Sequence, residues 1–298
     1  MPYQTKKGVS PIVDNELKRQ RAEMQEINKR QKAFYDKIRT ERRFDHSSRN
    51  ISSNLWSKVR NRLWDFQSAV NMRNIAVALH KEYLYDISQK RVLDLGCATG
   101  SALTMWLAEN AEEYVGIDLA EIAVLELNAK FRERGLTTAQ AIVADFIDSS
   151  LPDQHFDVIY AASVLHHFRD IDVLVDELLR VLKPGGVVLS YDPLETEPLN
   201  RMVRAVYRRK QDDRDWEWPF TRDRLKRLVN PFDILAMQGL LGMSKVGFPF
   251  YFLPGMRQLG CKLAQWGISF DSRNARSLGP ALYRCWHVAL VLQKPTTR

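Results

Sequence analysis

Apolar residues along this chain recur in two rhythms. Val92–Leu95, Tyr114–Ile117, Val158–Ala162 and Val187–Tyr191 are short runs that are apolar at nearly every position, and Gln140–Val143 is a weaker one. Runs of this kind suit strands covered on both faces. Between them, residues 101–109, 118–134 and 171–182 space their apolar positions as helices do, with Gly135 and Lys183-Pro184-Gly185-Gly186 as the stops. Strand and helix alternate, which predicts an α/β fold built on a largely parallel sheet.

The first 88 residues lack strand-like runs and predict a basic helical arm. Residues 1–13 read as a flexible lead, and Asp14 to about Arg43 as one long helix with Asp14 or Asn15 as its cap. Leu17, Met24, Ile27, Phe34 and Ile38 form an apolar stripe among Lys and Arg, and such a stripe must be covered. Its own domain, a second copy of the chain, or a membrane surface could each cover it. Trp56, Trp64 and Phe66, with Arg60 and Arg62, then lead into a helical pattern through Ala76, Leu79 and Tyr83.

Composition narrows the class. A chain of 298 residues, 45% hydrophobic, can bury one sizeable core with additions. Cys97, Cys261 and Cys285 are few and show no paired spacing, which predicts a reducing, cytoplasmic compartment and no metal site. No apolar run reaches the roughly 18 residues of a membrane span, so the expectation is a soluble or membrane-peripheral protein. The net charge of +8 matches that of residues 1–60, where 15 Lys and Arg face 7 Asp and Glu. Basicity is therefore a property of the arm, open to a solvated helix face, an anionic membrane, nucleic acid or a phosphorylated acceptor.

The candidate chemistry centres on Val92-Leu93-Asp94-Leu95-Gly96-Cys97-Ala98-Thr99-Gly100. A strand, a small-residue loop and a helix in that order let backbone approach a ligand, with the first amides of the helix unpaired. A second run ends in Asp118, 18 residues after Gly100, near the spacing at which doubly wound folds place an acid on a ribose. A dinucleotide fingerprint counted from Gly96 fails at Ala98 and Ser101.

The segment resembles motif I of class I S-adenosylmethionine (SAM)-dependent methyltransferases, with Ala98 in place of the family's middle glycine. Further resemblances follow: Ala144-Asp145-Phe146 after the third strand, Phe156 to Phe168 as F-D-V-I-Y-A-A-S-V-L-H-H-F, the L-K-P-G-G of Leu182–Gly186, and Tyr283–Gln293 as the antiparallel closing strand. The resemblance implies a doubly wound, seven-stranded, mostly parallel sheet with SAM as cofactor. It divides the chain into an arm and lid (1–88), a SAM-binding core (89–195), an acceptor-binding helical insertion (196–280) and a closing strand (281–298).

On this resemblance, Asp94 and the loop of Gly96, Cys97, Ala98 and Gly100 would hold the methionine end. Asp118, followed by Leu119, would take the ribose, and Asp145 with Phe146 the adenine. Ala161 would let the sulfur end lie against its strand, and Tyr35 is a candidate cap on the cofactor. Sugar O-methyltransferases of the family carry a similar Leu-His-His and a strand-ending Asp. This implies His167 as base, Asp192 as its orienter, and His166 as a cofactor-side or structural residue; a purely structural reading of the histidines stays open.

The insertion combines a basic helix (Asn200 to Lys210), a second helix capped by Thr221, and the apolar stretches Ile234–Met237 and Val246–Pro254. These suit a buried pocket or a hydrophobic surface beside cationic helices. The functional expectation is methylation of a small or lipid-linked acceptor, most simply a hydroxyl of a sugar or natural product. C- or N-methylation of a hydrophobic natural product is the alternative. Peripheral membrane contact and self-association through the first helix are compatible with the pattern. Nucleic acid is disfavoured, because no N-P-P-Y-type motif and no catalytic cysteine pair is present; a non-catalytic SAM-binding scaffold is the third class.

Overall fold

A computed structural model describes residues 11–40, 61–198, 201–202, 205 and 214–296. The flexible lead up to residue 10, Trp56, Arg60 and most of the basic segment 200–210 lie outside the described residues.

One seven-stranded sheet organises the chain, in the order β3-β2-β1-β4-β5-β7-β6. Its strands are β1 (Arg91–Leu95), β2 (Glu113–Asp118), β3 (Ala139–Val143), β4 (Phe156–Ala162), β5 (Leu182–Pro193), β6 (Asp233–Leu240) and β7 (His287–Gln293). β1 to β5 pair in parallel, and β7 runs antiparallel between β5 and β6. The strand order reverses beside β1, between β2 and β4, and this is where open α/β sheets leave a crevice at the carboxyl ends of their strands.

Strand parity explains why the central runs are apolar throughout. Leu93, Leu95, Val115, Ile117 and Ile159 point into one core layer, while Val92, Tyr114, Val158 and Leu189 point into the other. Each face is covered by helices: α3 (Ala102–Asn110) and α4 (Glu121–Glu133) contribute Leu107 and Leu127 to the second layer, and α5 (Ile171–Val181) and α6 (Arg222–Val229) contribute Leu174 and Leu225 to the first. Local capping sets the helix starts. Ser101 accepts from the Thr104 amide at 3.1 Å, Asp170 from those of Asp172 and Val173, and Thr221 from that of Arg224 at 3.3 Å.

Helix α1 (Pro11–Thr40) begins earlier than its expected cap and packs on its own chain. Ile27 and Gln31 are buried, Phe34 meets Trp216 with ring centres 5.3 Å apart, and the Asp36 carboxylate accepts from the Ile122 amide in the first turn of α4. Of the coverings open to the stripe, its described part uses the body of the same chain.

Two expected features differ. The L-K-P-G-G turn is drawn into β5: Leu182 pairs with Phe156, and the Gly185 amide donates to Lys294 O at 2.9 Å. Within the expected insertion, the apolar run 234–237 forms β6, a strand of the main sheet paired along β7. The rest of that region carries α7 (Gly247–Phe252) and α8 (Arg257–Asn274), which join residues 61–69 and α2 (Met72–Lys81) in a third apolar cluster built around Phe66, Met72, Tyr191, Leu240 and Tyr251.

Candidate active site

The crevice is a cleft of about 940 Å³ at the carboxyl ends of β1 to β4, roofed by α1. Three elements of the β1 loop and strand ends floor it: Gly96 and Ala98, Asp118 with Leu119, and Asp145 with Phe146. Met24, Asn28, Gln31 and Tyr35, spaced as one helix face, close it from above.

The loop's shape is fixed from inside the protein. Gly96 has φ +71°, and a Cβ there would stand 2.7 Å from Val164. Ala98 adopts a left-handed φ of 46° although it is not glycine, and its amide donates to Asp118 Oδ2 at 2.9 Å. That bond holds the loop in a conformation that alanine disfavours by about 1 kcal/mol. Ser163, beyond β4, is a second left-handed non-glycine residue on the cleft wall. Asp118 also accepts from the Ala120 amide at 2.8 Å, and burial raises its carboxyl above the ordinary range against the pull of these amides. Asp145 accepts from the Ile147 amide at 3.1 Å and, through Oδ2, from the Asn28 amide of α1. Burial raises its carboxyl as well. The carboxylate expected to receive an adenine amine thus already holds an amide donor from the roof.

Tyr35, Gly96, Ala98, Asp118, Leu119, Asp145, Phe146 and His167 come together on this cleft. Cys97 and Gly100 do not line it: Cys97 is buried against Gly116, and Gly100 turns the chain into α3 beside Leu127. Ala161 is fully buried within the sheet.

Asp94 requires a correction. Strand parity turns its side chain to the face opposite Leu93 and Leu95, where Oδ2 accepts from Thr104 Oγ1 at 2.9 Å and from Tyr114 Oη at 2.8 Å. It is buried and does not line the cleft. Burial pushes this carboxyl up to about 7 from an ordinary 3.8, with the two hydroxyl donors pulling the other way. Below pH 3.8 both folded and unfolded chains hold the proton and burial carries no ionic cost; the cost grows as pH rises to about 7 and is fully present above. Asp94→Asn removes that cost, so its melting temperature relative to the wild-type chain is expected to rise across this window. A difference that stays flat with pH would show that the carboxylate is ionised and held by Thr104 and Tyr114.

The histidine pair is also arranged differently from the expectation. The 3₁₀ turn Leu165–His167 sends the two rings to different partners. His166, buried behind the wall, places Nδ1 2.8 Å from Asp192 Oδ1, which also accepts the His166 backbone amide at 3.2 Å. Burial pushes the Asp192 carboxyl up to about 7, opposed by the His166 amide and the His167 charge. Asp192 therefore orients His166, not His167. His167 lines the cleft with Nδ1 2.7 Å from the Trp216 carbonyl. A carbonyl only accepts, so in the neutral ring Nδ1 carries the proton and Nε2 carries the lone pair. The rings stand 4.2 Å apart, so the His166–Asp192 pair backs His167.

Asn28, Gln31 and the Trp216 carbonyl were not foreseen. Asn28 sits one step past Ile27, and Gln31 stands inside the apolar stripe of α1, seven residues from both Met24 and Ile38, a polar signal that could have marked the face turned to a ligand. A main-chain carbonyl leaves no mark in a sequence.

Comparisons with known proteins bear on the family and the fold. A family profile described as a methyltransferase domain matches residues 93–190, from β1 to β5. Demethylmenaquinone methyltransferase of Thermus thermophilus is 34% identical over 153 residues, covering 50% of this chain and 67% of that protein. Sterol 24-C-methyltransferase erg6 of Aspergillus fumigatus is 33% identical over 141 residues, covering 43% of this chain and 37% of that protein. The chain spans about a third of the length of the sterol methyltransferases it matches. Among solved structures, the YcgJ protein of Bacillus subtilis superposes with a TM-score of 0.52 at 18% identity, over 76% of this chain and all of that one. The cyclase SpnF superposes with a TM-score of 0.51 at 20% identity, over 74% of this chain and 80% of that one. The chain belongs to the class I SAM-dependent methyltransferases. The floor of the cleft fits that cofactor, because two carboxylates and a small-residue loop converge in one space of suitable size.

Proposed function

We propose that the protein transfers the methyl group of SAM to a small, lipid-like acceptor, with His167 removing the proton that the acceptor must lose. The observation that carries this reading is the His167 ring on the cleft wall with Nδ1 tied to Trp216, which makes Nε2 the proton-accepting atom. SAM supplies an electrophilic methyl group on a sulfonium, already activated when it binds. The protein's part is alignment and proton removal. Asp118 and Asp145 would hold the nucleoside on the floor, Gly96 and Ala98 would leave room at the loop, and α1 would exclude water through Tyr35 and Gln31.

Relatives named for sterols and for demethylmenaquinone support an apolar acceptor and methylation at carbon. For a hydroxylated aromatic ring such as a hydroquinone, loss of the hydroxyl proton to His167 makes both the oxygen and the conjugated ring carbon nucleophilic, so the same base serves either product. O-methylation is the second reading, favoured by a histidine placed for a hydroxyl proton. Incubation with methyl-labelled SAM and a panel of a sterol, a prenylated hydroquinone and a free sugar tests both readings. Carbon-bound label on an apolar acceptor is the expected product, oxygen-bound label on such an acceptor would select the second reading, and turnover of the sugar alone would overturn the lipid-like assignment.

A further inference from the structure

Helix α8 is inverted relative to an ordinary surface helix. Its inward face is made of the small residues Gly260, Ala264 and Gly267, with Asp271, so that it packs backbone against backbone. A Cβ on Gly260 would stand 2.4 Å from Tyr251 N, and one on Gly267 2.4 Å from Ser244 Cα. Three of its five large apolar residues face outward, Leu259 at 42% exposed, Trp266 at 57% and Phe270 at 39%, while Leu263 and Ile268 are half-buried. Trp266 and Phe270 lie one turn apart, ring centres 6.2 Å from each other, and Leu253, before the helix, adds an exposed side chain. Burial within its own chain would favour the reverse arrangement, with the large side chains inside.

The exposed charges along this stretch have one sign. Between Leu253 and Leu278 the exposed charged residues are Arg257, Lys262, Arg273 and Arg276. The single carboxylate of that stretch, Asp271, is buried and accepts from the Gly242, Met243 and Ser244 amides and the Ser244 hydroxyl. Within that stretch no acidic residue is left at the surface to repel an anion.

We propose that the outer face of α8 rests on an anionic lipid bilayer, with Trp266, Phe270 and Leu259 entering the headgroup region and Lys262, Arg273 and Arg276 meeting its negative charge. Trp and Phe backed by Lys and Arg on one helix is the composition of in-plane membrane helices. Among the described residues no helix is long and apolar enough to cross a membrane, so the contact is one of surface attachment. The inference does not depend on which acceptor is methylated.

Flotation of the full chain with vesicles of phosphatidylcholine, alone or mixed with phosphatidylglycerol, tests it. Binding to the mixed vesicles that weakens with added salt is expected. Trp266→Ser with Phe270→Ser should lower partitioning about tenfold or more, and Lys262→Glu with Arg273→Glu should remove the preference for anionic vesicles. Leu125→Ser, at an exposed leucine of α4, should leave binding unchanged. Unaltered melting temperature and S-adenosylhomocysteine binding identify variants that remain folded. Failure of the wild-type chain to bind either vesicle, undiminished binding of the folded serine variant, or a wild-type dimer that the serine variant splits into monomers would each overturn the proposal.

Discussion

Asp118→Ala will bind S-adenosylhomocysteine about a hundredfold more weakly than the wild-type chain, because two roles of one carboxylate are lost together. Oδ2 accepts the Ala98 amide and Oδ1 the Ala120 amide, so the side chain pins the loop that faces the ligand before any ligand arrives. It also stands on the cleft floor at the end of β2, where the proposed nucleoside would present its ribose hydroxyls. Hydrogen bonds to a charged acceptor contribute about 1.5–3 kcal/mol each, and releasing Ala98 from its left-handed conformation adds an ordering cost on binding. Asp118→Asn is expected to be nearly as weak. An amide can accept from only one of the two backbone amides and turns a donor toward the other. Titration calorimetry reads the loss directly, and an affinity within about threefold of wild type would remove Asp118 from the cofactor site.

This carboxylate was legible because it terminates an apolar run at a fixed distance from a glycine loop, and both features are local. Asp94 is local too, yet its role was misread. Its neighbours Leu93 and Leu95 face the cleft-side layer, so alternation alone turns Asp94 the other way, and the partners that hold it, Thr104 and Tyr114, sit on separate elements. Two-residue alternation along Val92-Leu93-Asp94-Leu95 already turns Asp94 away from the cleft, against what the family's motif implies.

Strand β6 was hidden for a different reason. Its first half is exposed and its second half buried, so it shows neither the two-residue alternation of a half-covered strand nor the continuous run of a central one. Its identity comes from pairing with β7, some fifty residues later, which no local pattern reports. The histidines mark the finest limit. Adjacent residues leaving a strand point in different directions, but which ring meets Asp192 depends on a three-residue 3₁₀ turn. The element holding the other ring, Trp216, lies 49 positions away.

That division of labour sets the second large effect. His167→Gln will lower kcat by about 10²–10⁴ while leaving S-adenosylhomocysteine affinity near wild type, since a positioned general base contributes that much and touches the proton, not the nucleoside. Glutamine keeps an amide that can still donate to the Trp216 carbonyl, so the wall is preserved and only the basic nitrogen is removed. An imidazole loses its proton-accepting capacity as it is protonated, so the wild-type rate will fall toward acid pH, and the glutamine variant will lose that limb of the profile. Asp192→Asn should behave differently. Its carboxylate meets His166 behind the wall, so a smaller loss of rate is expected. If His167→Gln instead raises KM with kcat unchanged, the ring positions the acceptor and some other group or the solvent takes the proton. If Asp192→Asn matches the full loss of His167→Gln, the catalytic proton runs through the buried pair, and His167 is only its outer face.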